Sequence, residues 1–319
     1  MHDPGTVRPR AEDVLDEIER AVVGKREVAR GLLVALLAGG HALLEDVPGV
    51  AKTQLARSLA TVCGLRLSRI QMTPDLLPSD LTGSMVLDPE HGRPRFQPGP
   101  LHANLVLADE VNRAPPKTQS ALLEAMQEGQ VTVEGETHPL PRPFCVIATQ
   151  NPVESEGTYP LPEAQLDRFL LRLSVGYPDR EAETTMLTER VARRRPEPDL
   201  AGVLDGEGVL GLQAAVERVH VDATIAGYVV DLVAATRDRE ELLLGASPRG
   251  SLATLQAARA TAALAGRDFV LPEDVQEVLV PALGHRLAIR PDRWVRGLRA
   301  ERVLERCREL VPAPVTEAP

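Results

Sequence analysis

Apolar positions near the start of the chain recur at helical spacing. Val14, Leu15, Ile18 and Val22 fall on one face of a segment running from Ala11 to Ala38. Gly24 interrupts that run, a second helix follows from Glu27, and Gly39-Gly40 ends it. The residues before Ala11 are polar and proline-containing, which predicts a loose tail over 1–10.

From His41 onward short apolar runs alternate with helical ones. His41–Glu45, Leu67–Met72, Asn104–Ala108, Phe144–Thr149 and Phe169–Val175 read as buried strands. Thr53–Cys63 and Lys117–Glu128 read as helices between them, the latter with Leu122, Leu123 and Met126 on one side. This alternation predicts an α/β fold: a parallel five-stranded sheet covered on both faces. Two stretches break the rhythm and read as hairpins. One spans 83–99, with strands Met85–Leu87 and Arg93–Phe96; the other spans 130–140, around a Glu-Gly turn. After Tyr177-Pro178 strands are hard to find. Helices are predicted over 180–192, 209–218, 222–238, 248–265, 272–284 and 298–310. The chain therefore divides into an α/β core at 11–178, an all-helical second domain at 179–310 and a tail at 311–319.

A length of 319 residues accommodates two such domains. Aromatic residues make up only 3% of the chain, so the core must be built from Leu, Val, Ile and Ala. The net charge of -10 argues against broad binding to nucleic acid or to an acidic membrane surface. Cys63, Cys145 and Cys307 form no C-x-x-C pair, and the histidines match no metal-ligand spacing. The longest apolar stretch, Gly31–Ala38, is far short of the roughly 20 residues that span a bilayer. With no signal peptide recognised at the start, a reducing cytoplasm is the expected compartment.

Candidate chemistry begins in the loop after the first strand, Asp46-Val47-Pro48-Gly49-Val50-Ala51-Lys52-Thr53. A loop between a buried strand and a helix is where backbone N–H groups cradle phosphates. Lys52 would reach the β and γ phosphates of ATP, and Thr53 would coordinate Mg²⁺. The strict pattern G-x-x-x-x-G-K-[ST] is broken at Asp46 and Ala51. Asp tolerates turn conformations, and Ala is acceptable if its position is already helical. A Lys-Thr pair at a helix start also arises by chance, so a second signal is needed. It comes from the strand Leu105–Ala108, which ends in Asp109 and Glu110. Asp109 can hold the Mg²⁺ shell and Glu110 can polarise an attacking water. A third strand end places Asn151 beside them. Arg168 precedes the last strand, where it can equally pair with Asp167 or Glu163. Arg249 opens a helix after Ser247-Pro248, where an arginine can simply face solvent.

The ordered set GHALLEDVPGVAKT, GPLHANLVLADEVNRAPPKTQSALLEAMQE, VIATQNPVE, LPEAQLDRFLLRL and ASPRG resembles the MoxR family of AAA+ ATPases, from about Val22 to Ala265. The resemblance implies an AAA+ P-loop NTPase core followed by a helical lid, with ATP and Mg²⁺ as cofactors. It implies that Val23 and Gly24 lie along the adenine. Pro48, Gly49, Val50, Ala51, Lys52, Thr53 and the following Gln54 match Walker A, and Asp109 and Glu110 match Walker B. Asn151 matches sensor 1 and Arg168 the arginine finger that reaches a neighbouring subunit. Arg249 matches sensor 2, contributed by the lid and expected at the γ-phosphate. The two hairpins match inserts that touch partners. Members of the family are typically hexameric, act as chaperones on other proteins and associate with von Willebrand factor A domain proteins. A nucleic-acid motor and a nucleotide-dependent scaffold with little turnover are the competing readings. The acidic balance weighs against the first, and intact Glu110 and Asn151 against the second.

Overall fold

The computed structural model describes residues 4–46, 49–89, 93–151, 157–195 and 198–315. The chain opens with α1 (Val7–Glu19) and α2 (Arg26–Leu37), followed by β1 (Ala42–Glu45), α3 (Lys52–Val62) and β2 (Leu67–Gln71). A short α4 (Pro78–Thr82) leads into the hairpin β3 (Gly83–Leu87) and β4 (Pro94–Pro98). Next come β5 (Leu105–Asp109), α5 (Pro116–Glu128), the hairpin β6 (Gln130–Val133) and β7 (Glu136–Pro139), and β8 (Cys145–Gln150). A turn of helix, α6 (Glu163–Leu166), precedes β9 (Leu171–Leu173).

The remaining elements are α7 (Arg180–Arg193), α8 (Gly206–Val216), α9 (Ala223–Arg237), β10 (Leu242–Leu244), α10 (Pro248–Leu264), α11 (Pro272–Leu283), β11 (Ala288–Ile289), α12 (Pro291–Val295) and α13 (Ala300–Leu310).

Two expectations are corrected. The tail predicted over 1–10 stops short, because α1 begins at Val7 and that side chain is fully buried. Val7 is the first member of a stripe that continues through Ala11, Val14, Leu15 and Ile18. Arg8, Pro9 and Arg10 hide it in the sequence, and a proline is harmless in a first helical turn. The helical region also contains strands: β10 and β11 pair antiparallel. Leu242–Leu244 is too short for its periodicity to separate strand from helix.

The main sheet has the order β2-β5-β8-β1-β9, with neighbouring strands parallel. Alternation along its strands sends side chains to two separate cores. Ala42, Leu44, Leu105, Leu107, Cys145 and Ile147 face α1–α3 and a cluster that runs on into α8–α11 and α13. Leu43, Val106, Ala108, Val146 and Ala148 face α5 and its surroundings. Helices α8–α11 and α13 thus share one hydrophobic cluster with the sheet.

Polar groups fasten the two parts together. Arg286, buried after α11, donates to Asp167 Oδ1 at 2.7 Å, to the Asp167 carbonyl at 3.0 Å and to the Phe169 carbonyl at 2.8 Å. Burial lowers its pKa and the Asp167 carboxylate opposes that shift. Ser247 Oγ at the N-terminus of α10 donates to the other Asp167 oxygen at 3.0 Å.

Two buried histidines predict a fold that loses stability in acid. His41 accepts from the Val146 N–H through Nδ1 at 3.0 Å and places Nε2 2.9 Å from the Met126 carbonyl, an arrangement that suits the neutral ring. Burial pushes its pKa down from 6.5 to about 4. His285 is held well below its ordinary value by burial and then by the charge of Arg286. Both rings protonate more readily in the unfolded chain, so their contribution is complete above about pH 6.5 and is lost as pH falls toward 4. For His41 alone the loss is about 3 kcal/mol. Urea unfolding at about pH 7 and about pH 4.5 should show that decline; equal free energies at the two values would contradict it.

Candidate functional site

Strand register brings the polar residues into one row. Gln71 pairs with Asp109, Ala108 with Ala148, and Glu45 with Gln150, so β2, β5, β8 and β1 end together. Their C-terminal ends form the edge at which open parallel sheets carry ligands. Asp46 to Lys52 leaves that edge after β1, Glu110 follows β5 and Asn151 follows β8.

Val47 and Pro48 lie outside the described residues, so Pro48 has no structural account. Beyond them Gly49 has φ +85° and Ala51 φ +66°, and α3 starts at Lys52. Left-handed residues just before a helix are the turn geometry that gathers N–H groups into an anion-binding concavity. Lys52 Nζ donates to the Asp46 carbonyl at 2.7 Å, which keeps the ammonium inside the loop. Thr53 and Gln54 occupy the first turn of α3, both half-buried. The condition under which alanine is acceptable there, a helical backbone, is not met: Ala51 is the left-handed cap, a conformation favouring glycine. Ala51→Gly should therefore raise stability by about 0.5–1 kcal/mol. Thermal denaturation checks this, and a lower melting temperature would show that Ala51 is unstrained.

Asp109 is held on both oxygens. Thr149 Oγ1 donates to Oδ1 at 2.6 Å, and Arg69 donates to Oδ2 from Nη2 at 2.8 Å and from Nε at 3.3 Å. The Glu110 N–H donates to the same Thr149 hydroxyl at 2.9 Å. Glu110 has φ +58°, a left-handed kink that turns its carboxylate away from the strand direction. Gln71 Nε2 donates to Glu110 Oε2 at 2.8 Å, and Arg113 lies 3.4 Å from that oxygen. Asn151 is buried beside them. Thr149, Gln71, Arg69 and Arg113 were not among the sequence candidates. Their signal was position alone: Gln71 and Thr149 stand at the ends of strands that flank Asp109.

The residues fit a phosphate anion with a hard cation. The anion would meet Lys52 and the N-terminus of α3. The cation would meet the Thr53 hydroxyl and, through water, Asp109, whose Oδ1 keeps acceptor capacity beyond its bond to Thr149. Gly24 has φ +71°, and a Cβ on it would lie 2.6 Å from the Ala182 side chain. The Val23-Gly24 segment therefore runs directly against the first turn of α7.

Arg168 and Arg249 are elsewhere. Both line a cleft of about 310 Å³ together with Gly40, His41, Met126 and Arg286. His41 stands at the N-terminal end of β1, about 13 Å of strand away from the loop that follows it. Arg168 was expected at this far edge. The resemblance implied Arg249 at the γ-phosphate; in this structure it lines this far-edge cleft with Arg168. Ser247 and Arg286 both bind Asp167, which anchors the start of α10 beside Arg168.

Comparison with known proteins identifies the family. Residues 41–171 match the family described as "ATPase family associated with various cellular activities (AAA)", and residues 234–307 match the AAA lid domain. The Mycobacterium tuberculosis protein named Chaperone MoxR1 is 44% identical over 96% of this chain and 83% of its own. Protein MoxR of Methylorubrum extorquens is 34% identical, covering 93% of each. The chain belongs to the MoxR family of AAA+ ATPases.

Other relatives of this MoxR-family chain match nearly all of it. The Bacillus subtilis protein YeaC is 48% identical over 97% of this chain and 96% of its own. A crystal structure of a protein from Cytophaga hutchinsonii superposes with a TM-score of 0.90 at 40% identity, covering 97% of this chain and 96% of that one. The five-stranded sheet with its helical lid is the AAA+ architecture. The two hairpins meet at the side of the MoxR core: Phe96 of β4 stacks on His138 of β7 at 3.7 Å and meets His102 edge-on at 5.4 Å. Among the described residues no helix is long and apolar enough to cross a membrane.

Proposed function

We propose that this protein binds and hydrolyses ATP with Mg²⁺ at sites shared between neighbouring copies in a ring, and uses the cycle to remodel a protein client. The observation that carries the proposal is the separation of the two polar sets. Lys52, Asp109, Glu110 and Asn151 gather at one edge of the sheet, whereas Arg168 and Arg249 gather at the other.

In this reading Gly49 to Gln54 cradle the phosphates, with Lys52 as the fixed cation. Thr53 and Asp109 would hold the Mg²⁺, which would supply charge neutralisation at the phosphate oxygens. Glu110 orients and polarises the attacking water, held in place by Gln71 and by its N–H bond to Thr149. Asn151 helps position that water. Val23 and Gly24 line the adenine against α7. Arg168 and Arg249 act on the next subunit's nucleotide, since their own loop lies beyond their reach. A head-to-tail contact of this kind closes into a ring when its rotation closes, and a hexamer is the proposed size. The naming of a 44% identical relative as a chaperone supports a protein client. A von Willebrand factor A domain protein is the associate suggested by the resemblance.

The experiment is an ATPase assay on the purified protein, with and without Mg²⁺ and with and without DNA. Mg²⁺-dependent turnover indifferent to DNA is the expected result. Stimulation by DNA would favour a nucleic-acid motor, and nucleotide binding without turnover a scaffold.

A further inference from the structure

Asp46 occupies the position at which a strict phosphate loop has glycine, and its two polar ends face different parts of the molecule. Its carbonyl accepts from Lys52 Nζ at 2.7 Å. Its carboxylate Oδ2 accepts from Ser174 Oγ at 2.8 Å and from the Gly176 N–H at 2.5 Å. Those two residues belong to the strip between β9 and α7, the covalent connection from the sheet to the lid. Gly176 has φ +63°, a left-handed turn that a side chain would resist.

The same strip is gripped from the other side. Lys25, the residue after Gly24, donates to the Val175 carbonyl at 2.8 Å and to the Gly176 carbonyl at 3.0 Å. Asp179 then caps α7 by accepting from the Ala182 N–H at 2.8 Å, and Ala182 is the residue packed against Gly24. A carboxylate holds the strip's N–H while an ammonium holds its carbonyls. Charge-assisted bonds of this kind are about twice as strong as neutral ones.

We propose that Asp46 is a positioning residue that couples the phosphate-binding Lys52 to the core–lid connection at Ser174–Gly176. The proposal rests on the reading of Gly49 to Gln54 as a nucleotide loop. An ammonium carries three donors, so Lys52 keeps its bond to Asp46 while turning another donor to a phosphate. A shift of the lysine then moves the Asp46 peptide, and the carboxylate on that residue pulls on Ser174 and Gly176. Glycine at position 46 would keep the carbonyl for Lys52 and lose the link to the lid.

Hydrogen exchange over residues 174–182 of the full-length protein, with and without ATP and Mg²⁺, tests this. Nucleotide should change protection of that strip in the wild type. Asp46→Gly should bind ATP within about threefold of wild type, lose the change in the strip, and turn over about tenfold more slowly at similar KM. Ser174→Ala, which leaves the loop intact, should weaken the response. Asp46→Asn, which keeps an acceptor without the charge, should restore part of it. A purely structural role would lower stability without separating binding from response. A strip that responds in Asp46→Gly as in the wild type would overturn the proposal, as would loss of ATP binding in a folded Asp46→Gly. Failure of the wild type to bind ATP would instead remove the nucleotide reading itself.

Discussion

Arg168→Ala should bind ATP normally and hydrolyse it about 10³–10⁵-fold more slowly, the range seen when an arginine supplied in trans is withheld from a phosphoryl-transfer site. Arg168 precedes β9, on the sheet edge opposite Lys52 and Glu110. The strand between those edges is longer than an arginine side chain, so in the proposed reading Arg168 serves a neighbour's nucleotide. Mixing decides the matter. Lys52→Ala lacks the cation for the phosphates and should be inactive alone, yet it retains Arg168. An Arg168→Ala subunit retains the whole phosphate edge. Combining the two inactive proteins should restore part of the activity, because one supplies the pocket and the other the arginine. Steady-state turnover of each variant and of the mixture is the measurement, with binding of a fluorescent nucleotide as control. Arg249→Ala should behave like Arg168→Ala in the same mixture. Full activity of Arg168→Ala, or of a demonstrably monomeric wild type, would end the case for a shared site.

Glu110→Gln should retain nucleotide and lose turnover by about 10²–10⁴-fold, the usual contribution of a positioned general base. The substitution is nearly isosteric. The Glu110 N–H still reaches Thr149, and a glutamine oxygen can still accept from Gln71. The framework around Asp109 is untouched, so the loss would report chemistry rather than folding. Nucleotide affinity by titration, set beside single-turnover hydrolysis, separates the two. Wild-type hydrolysis by Glu110→Gln would move the role of base to another residue.

Much of this protein was legible before its structure. The strands are unbroken apolar runs over 42–44, 105–108 and 145–148, the pattern of strands buried on both faces. Asp109 and Glu110 stood out because two carboxylates directly after such a run have no packing role. Six of the helices after residue 179 were visible through their periodicity, and both hairpins through their turns; the five-residue α12 was not, being too short to show a period. Val7 was missed because one apolar residue among Arg8, Pro9 and Arg10 carries no periodicity of its own. The conformation of Ala51 was missed because side-chain identity does not reveal a left-handed φ that the surrounding loop imposes.

The sequence by itself determined most of the elements and which residue types stand at the strand ends, since local periodicity and residue type depend only on near neighbours along the chain. Tertiary structure alone decided which of those ends share an edge. Strand order placed Gln71 and Thr149 on either side of Asp109, although they are far from it in the chain and from each other. It also placed Arg249. A helix start looks the same whether it faces its own nucleotide or a neighbour's. Here the bonds of Ser247 and Arg286 to Asp167, spanning the lid and the core, turn it to the far edge. Those bonds join residues about 80 or more positions apart, a separation at which no periodicity or spacing rule applies.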